Sequence, residues 1–193
     1  MHIASADFKL NRKNSLGHAD WRPLFNQCAD RADEVQPGLR ACIEAELDFL
    51  DANWPKDLQR GIIHADLFPD NVFFVKNKLS GLIDFYFACE GALAYDLAIC
   101  INAWCFEHGT EFNATNARAL TQSYQGIEQL PDIDIAALPI LCRGAAMRFL
   151  LTRLYDWLNV PEGALVKPKN PLDYVERLRF HQKATSAASY GIS

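Results

Sequence analysis

Apolar positions along the chain follow two periods. Leu39, Ile43, Leu47 and Leu50 recur at helical spacing, with Pro37 ahead of them and Glu44, Glu46 and Asp48 largely off the stripe. Trp21 to Ala32 also reads as a helix, capped by Asp20, which makes a helical pair over 21–53. From Gly61 the period shortens. Gly61-Ile62-Ile63 is a short β-branched run, and Val72-Phe73-Phe74-Val75 and Leu82-Ile83 flank the polar turn Lys76-Asn77-Lys78. A strand, a loop and a hairpin are predicted. After Glu90-Gly91 helical spacing returns over 93–107, 114–127, 135–159 and 171–184, punctuated by Pro131, Pro139, Pro161, Pro168 and Pro171. Asn170-Pro171 forms a cap and first-turn pair. Residues 1–20 are polar and aperiodic and read as a linker or arm. The pattern predicts an α+β domain, mostly helical, with a small β insert.

Composition narrows the class. The 193 residues are 50% hydrophobic and 22% charged, an ordinary globular balance that excludes a disordered chain or a coiled coil. With a net charge of −5 and only short basic runs such as Lys9, Arg12 and Lys13, no nucleic-acid or membrane partner is expected. The longest nearly apolar stretch identified, Leu97 to Phe106, falls short of the roughly 20 residues of a membrane helix. The first residues lack the order of a signal peptide, so a cytoplasmic location is expected. Cys28, Cys42, Cys89, Cys100, Cys105 and Cys142 form no C-x-x-C pair and read as buried, reduced thiols. Neither G-x-G-x-x-G nor the P-loop pattern occurs, so any nucleotide site here lacks those phosphate-cradling loops.

The chemistry-bearing residues sit in the β insert. His64-Ala65-Asp66-Leu67-Phe68-Pro69-Asp70-Asn71 fits H-x-D-x-x-x-x-N, and Ile83-Asp84-Phe85 follows with a D-F pair. This is the layout of a kinase catalytic loop and metal loop. An alcohol attacking a γ-phosphate must lose a proton, a role that suits Asp66. Mg²⁺ takes hard oxygen ligands, which Asn71 and Asp84 supply. His64 is expected to brace the loop from the core, Asp70 to be solvated, and Asp96 either to cap a helix or to anchor the loop. Arg143, Arg148 and Arg153 recur every five residues, about 140° apart on a helix, so at least one is expected at the surface. Tyr155-Asp156-Trp157 either lines an acceptor site or ends that helix against the core, and core packing is the reading preferred.

The strings GIIHADLFPDNVFF, GLIDFYFACEGALAYDLAICINAWCFE and RFLLTRLYDWL resemble bacterial homoserine kinases of the aminoglycoside-phosphotransferase-like type, relatives of choline kinases within the protein-kinase-like fold. The resemblance implies a kinase C-terminal lobe over 21–193, with catalytic loop and hairpin at 61–85 and an acceptor-binding helical part at 92–193. It implies ATP-dependent phosphorylation of L-homoserine in threonine biosynthesis, with ATP and Mg²⁺ as cofactors, Asp66 as base, and Asn71 and Asp84 on the metal. Other alcohols, namely choline, an aminoglycoside or a sugar, are the alternative acceptors, and a non-catalytic remnant is the alternative role. Ala65 and Tyr86 stand where protein kinases carry Arg and Gly, in keeping with a small-molecule branch. Arg148 or Arg153 is expected to meet the acceptor's carboxylate. The family also implies a β-rich N-terminal lobe ahead of residue 1, so a truncated kinase, self-association through an apolar face, and weak ATP binding are expected of the chain alone.

Overall fold

The computed structural model describes residues 1–161, 163–165 and 167–192. Its helices are α1 (His18–Asn26), α2 (Ala32–Val35), α3 (Leu39–Asn53), α4 (Leu93–Trp104), α5 (Ala114–Gln125), α6 (Asp132–Leu158) and α7 (Leu172–Lys183). The strands are β1 (Arg60–Ile63), β2 (Val72–Val75), β3 (Lys78–Leu82), β4 (Cys89–Ala92), β5 (Phe106–Glu107) and β6 (Glu111–Phe112). They pair antiparallel as β1–β4, β2–β3 and β5–β6. The mostly helical α+β expectation holds.

The core is helix on helix. Trp21 and Phe25 of α1, Ile43, Leu47 and Leu50 of α3, and Leu97, Ala98 and Ile101 of α4 are buried together with Leu138, Leu141, Leu150 and Leu154 of α6 and Tyr174 and Leu178 of α7. α6 runs through this core and is buried on most of its faces. Among the described residues it alone is long and apolar enough to span a membrane, and its apolar side chains are mostly buried inside the fold. α6 carries arginines at 143, 148 and 153 and so does not form one unbroken apolar run in the sequence.

Those arginines are the first correction. None of the three is at the surface. Arg143 forms a two-pronged ion pair with Glu46, both bonds 2.7 Å, inside the α3–α6 contact, while Arg148 is 2% exposed. Arg153 donates to Asp173 Oδ2 at 3.2 Å and to the Asn170 carbonyl at 3.1 Å. A helix covered nearly all round has no solvent face for cations, so each is paired inside.

Other boundaries moved for local reasons. α1 starts at His18 with Gly17 as its cap, leaving Asp20 in the first turn, where its charge suits the helix dipole. The helix expected to reach Ala32 stops at Asn26, and a 3₁₀ turn (Ala29–Arg31) and α2 follow. α6 starts at Asp132, three residues ahead of the expected 135, and keeps Pro139 in its second turn. The hairpin closes over only Lys76 and Asn77, whose φ angles of 48° and 60° are the left-handed pair a two-residue turn needs, so Lys78 joins β3. At α7, Asn170 Oδ1 accepts from the Leu172 amide at 3.0 Å with Pro171 between them. The segment 1–20 is tied down: it contains a 3₁₀ turn (Ile3–Ser5), and Lys13 bridges to Glu90 beside β4. All six cysteines are free, but only Cys28, Cys89, Cys105 and Cys142 are buried, with Cys42 and Cys100 half-buried.

Candidate active site

The loop after β1 is built around Ala65, whose φ of 61° is left-handed and strained for a residue with a Cβ. It is held from both sides. The Asp96 carboxylate, 3% exposed in the first turn of α4, accepts from the His64 amide at 3.0 Å and the Ala65 amide at 2.8 Å. It also receives His2 Nε2 at 3.0 Å, from the N-terminal segment. From the other side the Arg148 guanidinium donates to the Ala65 carbonyl. Of the two roles expected for Asp96, the loop anchor is the one its hydrogen bonds describe; the cap position of α4 is Ala92.

His64 is fully buried and links the loop to the hairpin. Its Nε2 donates to the Ile83 carbonyl at 3.0 Å, and its Nδ1 accepts from the Asp66 amide at 3.3 Å. Asn71 caps the arrangement, donating its side-chain amide to the Asp66 carbonyl at 2.8 Å and towards Asp66 Oδ2 at 3.5 Å. Asp84 follows β3 in a left-handed conformation, φ 61° and ψ 56°.

Asp66, Asn71 and Asp84 line one open cavity of about 370 Å³. Its other walls are Phe68, Phe87, Phe149 and Leu16, and its polar rim carries Asp70, Arg148, Thr152, Arg153, Asp156 and Lys169. Asp66 lies 4.0 Å from Arg148 Nη2. Burial raises the Asp66 pKa above its ordinary value, Arg148 opposes that, and the nearby Asp84 carboxylate adds to it. Asp70 is exposed and pairs with Lys169 at 3.4 Å. Arg148 and Arg153 both reach the cavity, but each already holds protein partners, and Arg148 stacks 4.4 Å from the Phe149 ring centre. Arg153 is held below its usual pKa chiefly by burial.

Thr152 and Lys169 join the cleft without having been singled out in the sequence. Of the two places open to Tyr155-Asp156-Trp157, the preferred core position does not hold for Trp157, which is 42% exposed, nor for Asp156, which lines the cleft. The signal was present: Phe149, Thr152, Arg153 and Asp156 fall within about 60° either side of one line along the helix.

For a divalent cation, the donor set fits. The Asn71 amide points its nitrogen at Asp66, which leaves its oxygen without a donor among the described residues. Asp84 is exposed to the cleft and pairs with no cation among them. No group of three His, Cys, Asp or Glu is gathered there to hold a metal by itself. Two protein oxygens with the remaining positions open suit Mg²⁺, which keeps waters and phosphate oxygens in its shell.

A catalytic-loop motif folded between β1 and a hairpin, opening onto a helical cleft, is the arrangement of a phosphotransferase lobe. A family model described as "Phosphotransferase enzyme family" matches residues 1–130, and the chain belongs to that family. Its similar proteins narrow the choice. It is 60% identical over all 193 residues to the homoserine kinase of Rhodospirillum rubrum, covering 60% of that protein. It is 61% identical over the same span to the homoserine kinase of Bradyrhizobium diazoefficiens, covering 59%. The homoserine kinase of Brucella anthropi is 57% identical over 192 residues, with 59% covered. The chain thus spans about 60% of the length of these curated relatives.

Proposed function

We propose that this chain carries the acceptor, base and metal residues of an enzyme that transfers the γ-phosphate of ATP to the side-chain hydroxyl of L-homoserine. The observation that carries the reading is the convergence of Asp66, Asn71 and Asp84 on one cleft, in a chain about 60% identical to homoserine kinases along its whole length.

Asp66 accepts the hydroxyl proton as the oxygen attacks. Burial lifts its pKa towards the range where a carboxylate takes a proton readily, while Arg148 at 4.0 Å and Asn71 keep it oriented. Asn71 and Asp84 would hold Mg²⁺, which would supply positive charge to offset the charge on the phosphate oxygens. Arg153, on the cleft wall, offers guanidinium N–H groups to the acceptor's carboxylate, and Arg148 chiefly fixes Ala65 and Asp66. His64 and Asp96 hold the loop and touch no substrate.

The test is a panel of acceptors, namely L-homoserine, choline, an aminoglycoside and a hexose, each given with ATP and Mg²⁺. ADP release and phosphorylated product are followed. In the enzyme that includes the ATP-binding lobe, O-phosphohomoserine is the expected product, and Asp66→Asn should lower kcat by about 10²–10⁴ with folding intact. Faster turnover of any other alcohol, or near-normal turnover by Asp66→Asn, refutes the reading.

A further inference from the structure

A chain of hydrogen bonds runs from α5 through the N-terminal segment to the catalytic loop, and His2 is its middle link. His2 Nδ1 lies 2.8 Å from the Tyr124 hydroxyl on α5, and Nε2 lies 3.0 Å from Asp96 Oδ2 on α4. A carboxylate only accepts, so Nε2 carries the hydrogen and donates to it. Burial raises the Tyr124 pKa, so its hydroxyl keeps its proton and donates to Nδ1. The same Asp96 carboxylate accepts the His64 amide on Oδ2 and the Ala65 amide on Oδ1, and Asp66 is the next residue.

We propose that His2 is a positioning residue for phosphoryl transfer: it fixes the plane of the Asp96 carboxylate and, through it, the loop that carries Asp66. The inference rests on the homoserine reading only for the acceptor used to measure turnover.

Three features of the structure support it. The backbone of Asp96 is fixed in α4, but its carboxylate turns easily, because the torsion next to a planar carboxyl group has broad wells. The two loop amides cannot fix that plane alone, since both belong to the segment being held. His2 supplies a third donor from outside the loop, and that donor is itself held by α5. The loop also stores strain at Ala65, φ 61°, so slack in the anchor is released one residue from Asp66. Replacement donors are scarce among the described residues. Asp96 borders a cavity of about 480 Å³ whose other walls are mainly apolar, among them Ile3, Leu97, Leu120 and Ile127. Leu67, directly after Asp66, borders the same cavity, so the loop has room to shift there. A misplacement of about 1 Å costs up to about 10²-fold in rate, so slack at Asp66 reaches turnover even where the fold is kept.

The experiment compares His2→Ala, His2→Asn and His2→Gln. His2→Gln puts an amide about as far out as Nε2 and keeps a donor for Asp96, whereas His2→Asn reaches only to the position of Nδ1 and keeps the Tyr124 contact. In the enzyme that includes the ATP-binding lobe, turnover is measured with ATP, Mg²⁺ and L-homoserine. There kcat should fall about 10-fold in His2→Ala and His2→Asn and return to within about threefold of native in His2→Gln, with both KM values within about twofold throughout. In the 193-residue chain, exchange of the Ala65 amide is followed by NMR and global stability by urea unfolding. Exchange should quicken in His2→Ala and His2→Asn by more than their change in global stability explains, and stay near native in His2→Gln. Native-like kcat or native-like exchange in His2→Ala, or an equal loss in all three variants, overturns the proposal. A native enzyme that does not phosphorylate L-homoserine overturns the homoserine reading instead, and the exchange pattern across the three variants then decides the role of His2.

Discussion

Replacing Asp96 by alanine tests how the catalytic loop is held. The carboxylate is 3% exposed and accepts two loop amides at 3.0 and 2.8 Å, besides His2 Nε2 at 3.0 Å. With the side chain gone, the His64 and Ala65 amides stay buried without acceptors, at a cost of about 1–3 kcal/mol each. Removing a buried charge also recovers its desolvation cost, so a net loss of about 2–4 kcal/mol is expected. Ala65 makes the loss harder to absorb, because its left-handed backbone has no reason to persist once the clamp opens. Urea unfolding followed by fluorescence should show a lower midpoint with an unchanged slope, since the surface exposed on unfolding is the same. Hydrogen exchange at the Ala65 amide should quicken by more than the global loss of stability explains. His2→Ala is the comparison: it removes two half-buried hydrogen bonds, to Asp96 Oδ2 at 3.0 Å and to the Tyr124 hydroxyl at 2.8 Å, and leaves both loop amides their acceptor, so it should cost about 0.5–1.5 kcal/mol for each bond. An Asp96→Ala loss below about 0.5 kcal/mol, or one no larger than that of His2→Ala, would refute the anchoring argument.

Four further outcomes are expected. Asp66 has a folded pKa above its unfolded one, so its effect on stability is most favourable below the ordinary aspartate value and is lost as pH rises through the folded pKa; Asp66→Asn should therefore gain stability relative to the native chain across that window, and a constant difference from pH 3 to 8 would contradict it. His181 is fully buried between Tyr190 (2.9 Å) and Asn102 (3.2 Å), and burial holds its pKa down to about 3 from 6.5. Stability from this neutral imidazole is complete above pH 6.5 and declines as pH falls towards 3, so urea midpoints for His181→Gln should show a flatter acid limb, and an unchanged limb would count against it. Gly144→Ala puts a methyl group against the Trp54 ring and 2.8 Å from the Trp21 ring, so overpacking of about 1–3 kcal/mol should outweigh the gain in helix propensity; thermal unfolding decides the sign. Phe73, Phe74, Val75, Leu79, Ile83, Phe85 and Tyr86 are exposed apolar side chains on and beside the β2–β3 hairpin, so the isolated chain should self-associate in light scattering, and a monodisperse monomer at high concentration would refute this.

The sequence by itself determined the elements with strong periods and the chemistry written as a local motif. The Leu39–Leu50 stripe, the hairpin after Asn71 and the spacing of His64, Asp66, Asn71 and Asp84 are short-range properties of the chain, and the fold keeps them. Helix ends and the strands β4, β5 and β6 were not legible, because backbone pairing with distant residues fixes them: β4 exists only opposite β1, in the register Ile63 to Cys89. The clamp on Ala65 was equally hidden, since Asp96 and Arg148 lie 31 and 83 residues away from it. The arginines of α6 show why. Spacing gave their angles about the axis, but whether an angle faces solvent or another helix depends on what packs there, and only the tertiary structure surrounds α6 on nearly every side. Thr152 and Asp156 belong to the same class: their type and helical phase were written in the chain, and their place in the wall of the cavity that Asp66 also lines came from the packing of α6 beside the loop.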